Sequence, residues 1–190
     1  MQRTDIIQAA AQRFRQNGYH GTSMQDIADE VQLQKSSLYH HVSSKQDILF
    51  TILEQALDLL IADMQAVVES ELPPEKKLRM AMQSYMGRLT QDADLAAVLL
   101  LEHRSLEHEL RIQHIARRDQ CEDLWRLIIQ EGVDQGVYSP TDVSVVSLAI
   151  LGVQNWMITW FNSEGRYSAL ELADHFSKLF LTGLRIQEGS

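Results

Sequence analysis

The chain has 190 residues, 45% hydrophobic and 23% charged, with only 3 Pro and 9 Gly and a net charge of −9. This describes an ordinary globular protein of one or two domains, with a real core and long regular elements, whose acidity argues against a wholly basic nucleic-acid binder. A single cysteine, Cys121, excludes an intramolecular disulfide framework and fits a reducing compartment. No apolar run reaches the ~18 residues of a membrane span and MQRTDIIQAAAQRF is no signal peptide, so no membrane partner and a cytoplasmic location are expected.

In chain order almost everything reads as helix. From Thr4 to Asn17, the positions Ile6, Ile7, Ala10 and Phe14 recur at helical spacing, and Asn17-Gly18 ends the run. "GTSMQDIADEV" restarts a helix, with Ser23 as N-cap and Asp26 completing a capping box. Ile27, Ala28 and Val31 face inward. After a break at Gln32-Leu33, "KSSLYHHV" forms a short helix. Ser43 or Ser44 then caps a long helix that stops at Pro73-Pro74. "EKKLRMAMQSYMGRLTQ", "DLAAVLLLEHRSL" and a long stretch from about Glu107 to Glu131 follow as helices. "DQGVYSPTD" is a turn, "VSVVSLAILGVQNWMITWF" the next helix from about Asp142, "NSEGRYS" a break, and "ALELADHFSKLFLTGLRI" the last helix. No alternating strand pattern, repeat or low-complexity tract interrupts the series.

Charge is unevenly spread. Residues 1–50 hold five basic and five acidic side chains, so the whole acidic excess lies beyond them. The first segment is the electrostatically permissive part for a polyanion. It also holds the densest cluster of chemistry, Gln34 to Lys45. Ser36 and His40 share a helix face, but no carboxylate in the segment orients the histidine and no glycine-rich elbow supplies an oxyanion hole. His40 and His41 project about 100° apart, too far for one metal ion. A short helix, a tight turn and a second short helix instead make a helix-turn-helix, whose second helix shows its polar N-terminal residues to base edges in the major groove. Gln34, Lys35, Ser36, Ser37, Tyr39, His40 and His41 are that polar set, with Leu38 and Val42 turned inward. Lys45, in the first turn of the next helix, sits where free backbone N–H groups hold a phosphate.

The stretch "IIQAAAQRFRQNGYHGTSMQDIADEVQLQKSSLYHHVSSKQDIL", with its A-x-x-x-F, G-Y-x-G-T-S, D-I-A and S-L-Y-H-H elements, resembles the DNA-binding domain of the TetR family of bacterial regulators. The resemblance implies an all-α protein of about nine helices, with a three-helix DNA-binding domain over 1–48 and a helical ligand-binding and dimerisation domain over 49–190. It assigns backbone contacts to Thr22, Lys35, Tyr39, His40 and Lys45, and base reading to Gln34, Ser36 and Ser37. The chain departs from the family pattern in two places. Val31-Gln32 replaces the usual Ala-Gly of the turn, which puts Gln32 in a left-handed conformation at some cost, and Gln34 replaces the usual Ser or Thr cap.

The last two helices are apolar on more than one face, with small residues that permit close approach. Val146, Ile150, Val153, Phe176, Phe180 and Leu184 are the expected dimer interface. "LGVQNWMITWFNSEGRYSALELADHFSKLFLTGL" is similar to the acyl-CoA-responsive branch of the same family. That similarity implies a hydrophobic tunnel, for which Tyr85, Leu89, Leu100, Leu124, Trp125, Ile128, Trp156 and Trp160 are the candidate liners, with Arg88, Arg104, Arg111, Arg117, Arg118 and Arg166 as candidates for coenzyme A phosphates.

The expected function is a ligand-released transcriptional repressor, not an enzyme, which binds a palindromic operator as a homodimer and needs no cofactor. Its partners are double-stranded DNA, a second copy of the chain and a small hydrophobic effector such as an acyl-CoA. The alternative, a helical-bundle enzyme or metal protein, finds little support. Glu-x-x-His occurs nowhere, and His103 and His108 diverge by about 140° around a helix.

Overall fold

A computed structural model describes residues 2–185. They form nine α-helices: α1 Arg3–Gly21, α2 Met24–Glu30, α3 Lys35–Leu38, α4 Lys45–Val68, α5 Pro74–Gln91, α6 Ala93–Leu101, α7 His108–Asp134, α8 Val143–Trp156 and α9 Ala169–Leu184. Short 3-10 turns follow α6 at His103–Ser105 and α8 at Met157–Thr159. No strand occurs among the described residues, only one isolated bridge between Tyr138 and Arg185.

The ends of these helices follow local chemistry. Ser23 Oγ accepts from the Asp26 N–H while Asp26 accepts from the Ser23 N–H, and Ser168 with Glu171 repeats the arrangement for α9. That exchange holds both carboxyls below their usual range, through the backbone N–H first and the serine hydroxyl second. Ser44 Oγ caps α4 by accepting from the Asp47 N–H, and Asp47 accepts in turn from the Ser43 N–H. Pro74 opens α5, where its missing N–H loses nothing. Gly18 has φ 74°, and the backbone of α1 kinks there before one more helical turn.

Two compact units result. The first comprises residues up to Asp58 together with Asp92–Arg118; the second comprises Leu59–Gln91 and the chain from Asp119 onward. In the first unit α6 packs on α1, and α1, α2 and α3 share a core of Ile6, Ile7, Phe14, Ile27, Ala28 and Leu38, all at most 1% exposed. Burying side chains of this size is worth about 1.5–3 kcal/mol each, far more than the propensity of so short a helix as α3. In the second unit α5 lies against α9 and α8 around Leu78, Met82, Trp125, Ile128 and Ile150.

The turn between α2 and α3 carries the expected strain. Gln32 has φ 55°, the only positive φ of a non-glycine among the described residues. The Leu33 N–H reaches back to the Ala28 carbonyl at 2.8 Å and the Gln32 N–H to Asp29 at 3.1 Å, closing the end of α2. Replacing Gln32 by glycine should therefore raise stability by about 0.5–1 kcal/mol, read as a higher urea midpoint at unchanged slope. A lower midpoint would show that the Gln32 side chain contributes more than its backbone costs.

Candidate nucleic-acid interface and ligand core

The helix-turn-helix places its polar residues as a groove-reading surface requires. Gln34, Lys35, Ser36, Tyr39 and His40 are exposed, Ser37 and His41 are half-buried, and Leu38 and Val42 are buried. α3 is shorter than expected. It is α-helical only over Lys35–Leu38, after which the N–H groups of His40 and His41 bond back to Ser37 and Leu38 in a tighter turn. Tyr39 keeps 48% of its surface exposed at this helix end, and no ion pair engages Lys35 among the described residues.

Lys45 is the first residue of α4 and lies over the Tyr19 ring, 4.2 Å from its centroid. Burial lowers its pKa, and the nearby Asp26 and Glu102 carboxylates oppose the shift. Thr22 behaves differently from the expectation of a backbone contact. Its side chain is buried, 1% exposed, and its hydroxyl donates to the carbonyls of Gly18 at 3.0 Å and Arg13 at 3.2 Å. The hydroxyl serves the kinked end of α1 from inside.

Sequence reasoning overlooked the residues that fix this surface. Gln46 Nε2 donates to the Tyr19 hydroxyl and to the Ser105 carbonyl, both at 2.8 Å, and its Oε1 accepts from the Glu107 N–H at 3.0 Å. Burial is the main cause that raises the Tyr19 pKa, with Gln46 acting the other way. The arginines of the segment are also committed: Arg13 to Glu30, Arg3 to Asp47 at 3.1 Å and Arg15 to Asp94 at 2.9 Å. A glutamine among polar residues gives no sequence signal of such a role, because all three of its partners lie far along the chain.

The ligand candidates divide. Tyr85, Leu89, Leu124, Trp125 and Ile128 are buried in the second unit, and Tyr85 and Trp125 meet edge to face with centroids 5.6 Å apart. Leu100 and Arg104 belong to the first unit, half-buried and exposed respectively. Trp156 and Trp160, expected to line the tunnel, are 67% and 47% exposed instead. The reason is register. α8 buries Ser147, Ile150 and Gln154, which turns Trp156 outward, and the 3-10 turn after it, with Met157 buried, breaks the helical spacing to Trp160.

The same register corrects the interface candidates. Ile150 and Leu184 are buried within the chain, whereas Val146, Phe176 and Phe180 are half-buried and Val153 is exposed. The outward apolar face comprises Val145, Leu148, Val153 and Trp156 of α8 and Leu179 of α9. The phosphate candidates are mostly engaged as well. Arg88 forks onto Asp63 at 2.9 and 3.1 Å, Arg117 bonds Glu54 and Asp58, and Arg166 lies over the Tyr167 ring. Arg111 and Arg118 are exposed.

His103 lies in the 3-10 turn between α6 and α7, and His114 lies in α7. They come together, rings stacked at 6.4 Å, with His114 only 1% exposed and its Nδ1 3.5 Å from Glu54 Oε1. Among the described residues no group of three or more His, Cys, Asp or Glu is arranged for a metal ion. Burial holds His114 down at about 4, with Arg118 and His103 adding to the shift, while burial raises Glu54.

Helix-turn-helix geometry with an outward polar recognition segment defines a DNA-binding protein. A family model described as "Bacterial regulatory proteins, tetR family" matches residues 6–52, and one described as "Tetracyclin repressor-like, C-terminal domain" matches residues 71–184. The chain belongs to the TetR family and is a transcriptional regulator, not an enzyme. It is similar to the TetR-family regulator PfmR from Thermus thermophilus, at 36% identity and TM-score 0.89, covering 95% of this chain and 99% of that one. It is also similar to AibR in complex with isovaleryl coenzyme A and operator DNA, at 29% identity and TM-score 0.87, covering 94% and 97%. The transcriptional repressor KstR2 of Mycobacterium tuberculosis is 24% identical over 184 residues, 96% of this chain and 92% of that one.

His114 yields a prediction with a definite sign. Between about 4 and its ordinary value of 6.5 the unfolded chain binds a proton that the folded chain does not, so its contribution to stability is lost as pH falls through that window. Glu54, raised, works the opposite way and loses its contribution as pH rises. In His114→Leu the acid-side decline should flatten by an amount on the order of 3 kcal/mol over the whole window, at about 1.4 kcal/mol per unit. Urea unfolding at several pH values tests this, and parallel curves for the two proteins would remove His114 as the cause.

Proposed function

We propose that this regulator is a ligand-released repressor. Residues 1–48 form its DNA-binding head, and residues 49–190 its ligand-binding and dimerisation body. Two copies grip a palindromic operator in the cytoplasm, and a hydrophobic effector of the acyl-CoA class releases it. The observation that carries this reading is the outward recognition set of Gln34, Lys35, Ser36, Tyr39 and His40 on a charge-balanced segment of an otherwise acidic chain. The likeness to AibR, whose structure holds an acyl-CoA and operator DNA, supports the effector class.

Gln34, Ser36 and Ser37 read base edges, while Lys35, Tyr39, His40 and Lys45 hold phosphates. Two recognition helices must match major grooves about 34 Å apart, so a small change of head spacing weakens binding. The effector needs only a higher affinity for the released state than for the bound one. The body supplies a buried aromatic and aliphatic core for it at Tyr85, Leu89, Leu124, Trp125 and Ile128.

Titration of DNA from upstream of the protein's own gene, followed by fluorescence anisotropy, tests the head. Tyr39→Ala should weaken binding about uniformly across sequences, as loss of a phosphate contact does, and Lys35→Ala should reduce the salt slope by about 1. Operator affinity and salt slope equal to wild type in both variants would overturn this docking. For the dimer, Leu148 is 54% exposed in the single chain, so Leu148→Asp should leave the fold intact. Sedimentation velocity should then show a monomer where the wild type is a dimer; a dimer in both places the interface elsewhere.

A further inference from the structure

The core of the second unit contains a fully buried hydrogen-bond donor that the fold does not use. Trp125 is 0% exposed, and its indole N–H has no acceptor among the described residues. Its ring meets Tyr85 edge to face at 5.6 Å and 74°. The Tyr85 hydroxyl donates to Asn155 Oδ1 at 2.8 Å, so these two neighbouring polar groups are joined to each other. Helices α5, α7 and α8 each contribute one member of this group.

A buried donor left without an acceptor costs about 1–3 kcal/mol, and buried tryptophans ordinarily place the N–H on a partner. Phenylalanine would fill most of the same space without that cost. Indole donates and cannot accept, so whatever uses this group must bring an acceptor atom. The other buried unpartnered atoms of the unit do not ask for the same ligand. Gln154 Oε1 is itself an acceptor, the Tyr138 hydroxyl stands beside Glu75 and Glu131, and Arg126 Nε belongs to a charged guanidinium already paired with Glu122 and Asp123.

The acceptor should also be uncharged. A carboxylate in this core would need a cation, and the buried and half-buried cations of the second unit are committed elsewhere. Lys77 bonds Glu131 and the Val68 carbonyl, Arg79 pairs with Asp174, Arg88 with Asp63, and Arg126 with Glu122 and Asp123. A neutral carbonyl oxygen meets both conditions.

We propose that the Trp125 indole N–H donates to the thioester carbonyl of an acyl-CoA effector, so that the regulator responds to the thioester and not to the free fatty acid or to an alkyl chain alone. The inference rests on the effector class proposed above and goes further by naming the atom that recognises it.

The test uses the full-length protein on its operator DNA, with three probes matched in chain length from butyryl to palmitoyl: acyl-CoA thioesters, S-alkyl-CoA thioethers that lack the carbonyl, and free fatty acids. Direct binding by calorimetry and operator release by anisotropy are both read. Wild type should bind the thioester about tenfold or more tightly than the matching thioether, equivalent to about 1.4 kcal/mol. It should bind the free acid weakly. Trp125→Phe should bring the thioester-to-thioether ratio near one, a ratio in which any packing change common to both probes cancels. Equal affinity of wild type for thioester and thioether, or an unchanged ratio in the variant, overturns the role of Trp125 while leaving the acyl-CoA reading in place. Failure of every thioester to bind wild type overturns that reading, and the inference with it. Should the variant misfold, equal binding of thioester and thioether by wild type still overturns the inference.

Discussion

A recognition helix of four residues cannot hold itself. Isolated helices below about 12–15 residues are marginal in water, and α3 spans only Lys35–Leu38. Its shape is imposed by burial of Leu38 and Val42, at 0% and 3% exposure, and by the closed turn at Gln32-Leu33. That constraint orders everything around it. With the inward positions fixed, Gln34, Lys35, Ser36, Tyr39 and His40 have only the outside left to occupy. The surface proposed to face the groove is the complement of a small hydrophobic core, which explains how side chains with little helix preference are kept in register.

The same economy governs charge. A DNA-binding segment in a chain of net charge −9 cannot rely on a long-range positive field. Its arginines are tied to carboxylates, Arg13 to Glu30, Arg3 to Asp47 and Arg15 to Asp94, and act as struts. Such exposed pairs are each worth only about 0–1 kcal/mol, but they neutralise acids that would otherwise face the polyanion. In the proposed docking, attraction is left to Lys35 and Lys45. A segment built this way depends more on local geometry than on bulk charge.

What could be read from the sequence follows from the range of the forces involved. Helix caps are short-range, so Ser23 with Asp26, a cap at Ser43 or Ser44 and the left-handed Gln32 were all legible from neighbours along the chain. The polar-out, apolar-in pattern of Gln34–Val42 was legible for the same reason. Thr22 was not, because whether a hydroxyl faces solvent or the Gly18 carbonyl depends on the kink in α1. Nor were Ile150 and Leu184, since a helix apolar on several faces does not declare which one its own chain will cover. Trp156 and Trp160 share a face only if the α-helix continues past residue 156, and here it tightens into a 3-10 turn. Long-range choices of face and register decide these positions, and periodicity alone does not contain them.

Gln46 shows how such a long-range choice links regions that the sequence keeps apart. One amide joins Tyr19 at the end of α1, the Ser105 carbonyl and the Glu107 N–H that precede α7, and it does so from the residue next to Lys45. His20 adds a contact to Ser105 at 3.3 Å, and Glu102 lies close to Gly18. Each hydrogen bond is individually modest, about 0.5–1.5 kcal/mol net. Together they make the first turn of α4 and the 102–107 connection parts of one rigid piece, because the amide cannot keep its three partners if either side shifts by more than a few tenths of an ångström. The 102–107 connection and the residue proposed to hold a phosphate are therefore mechanically adjacent although they are far apart in sequence. A displacement of the connection must either carry Lys45 with it or break the amide's bonds.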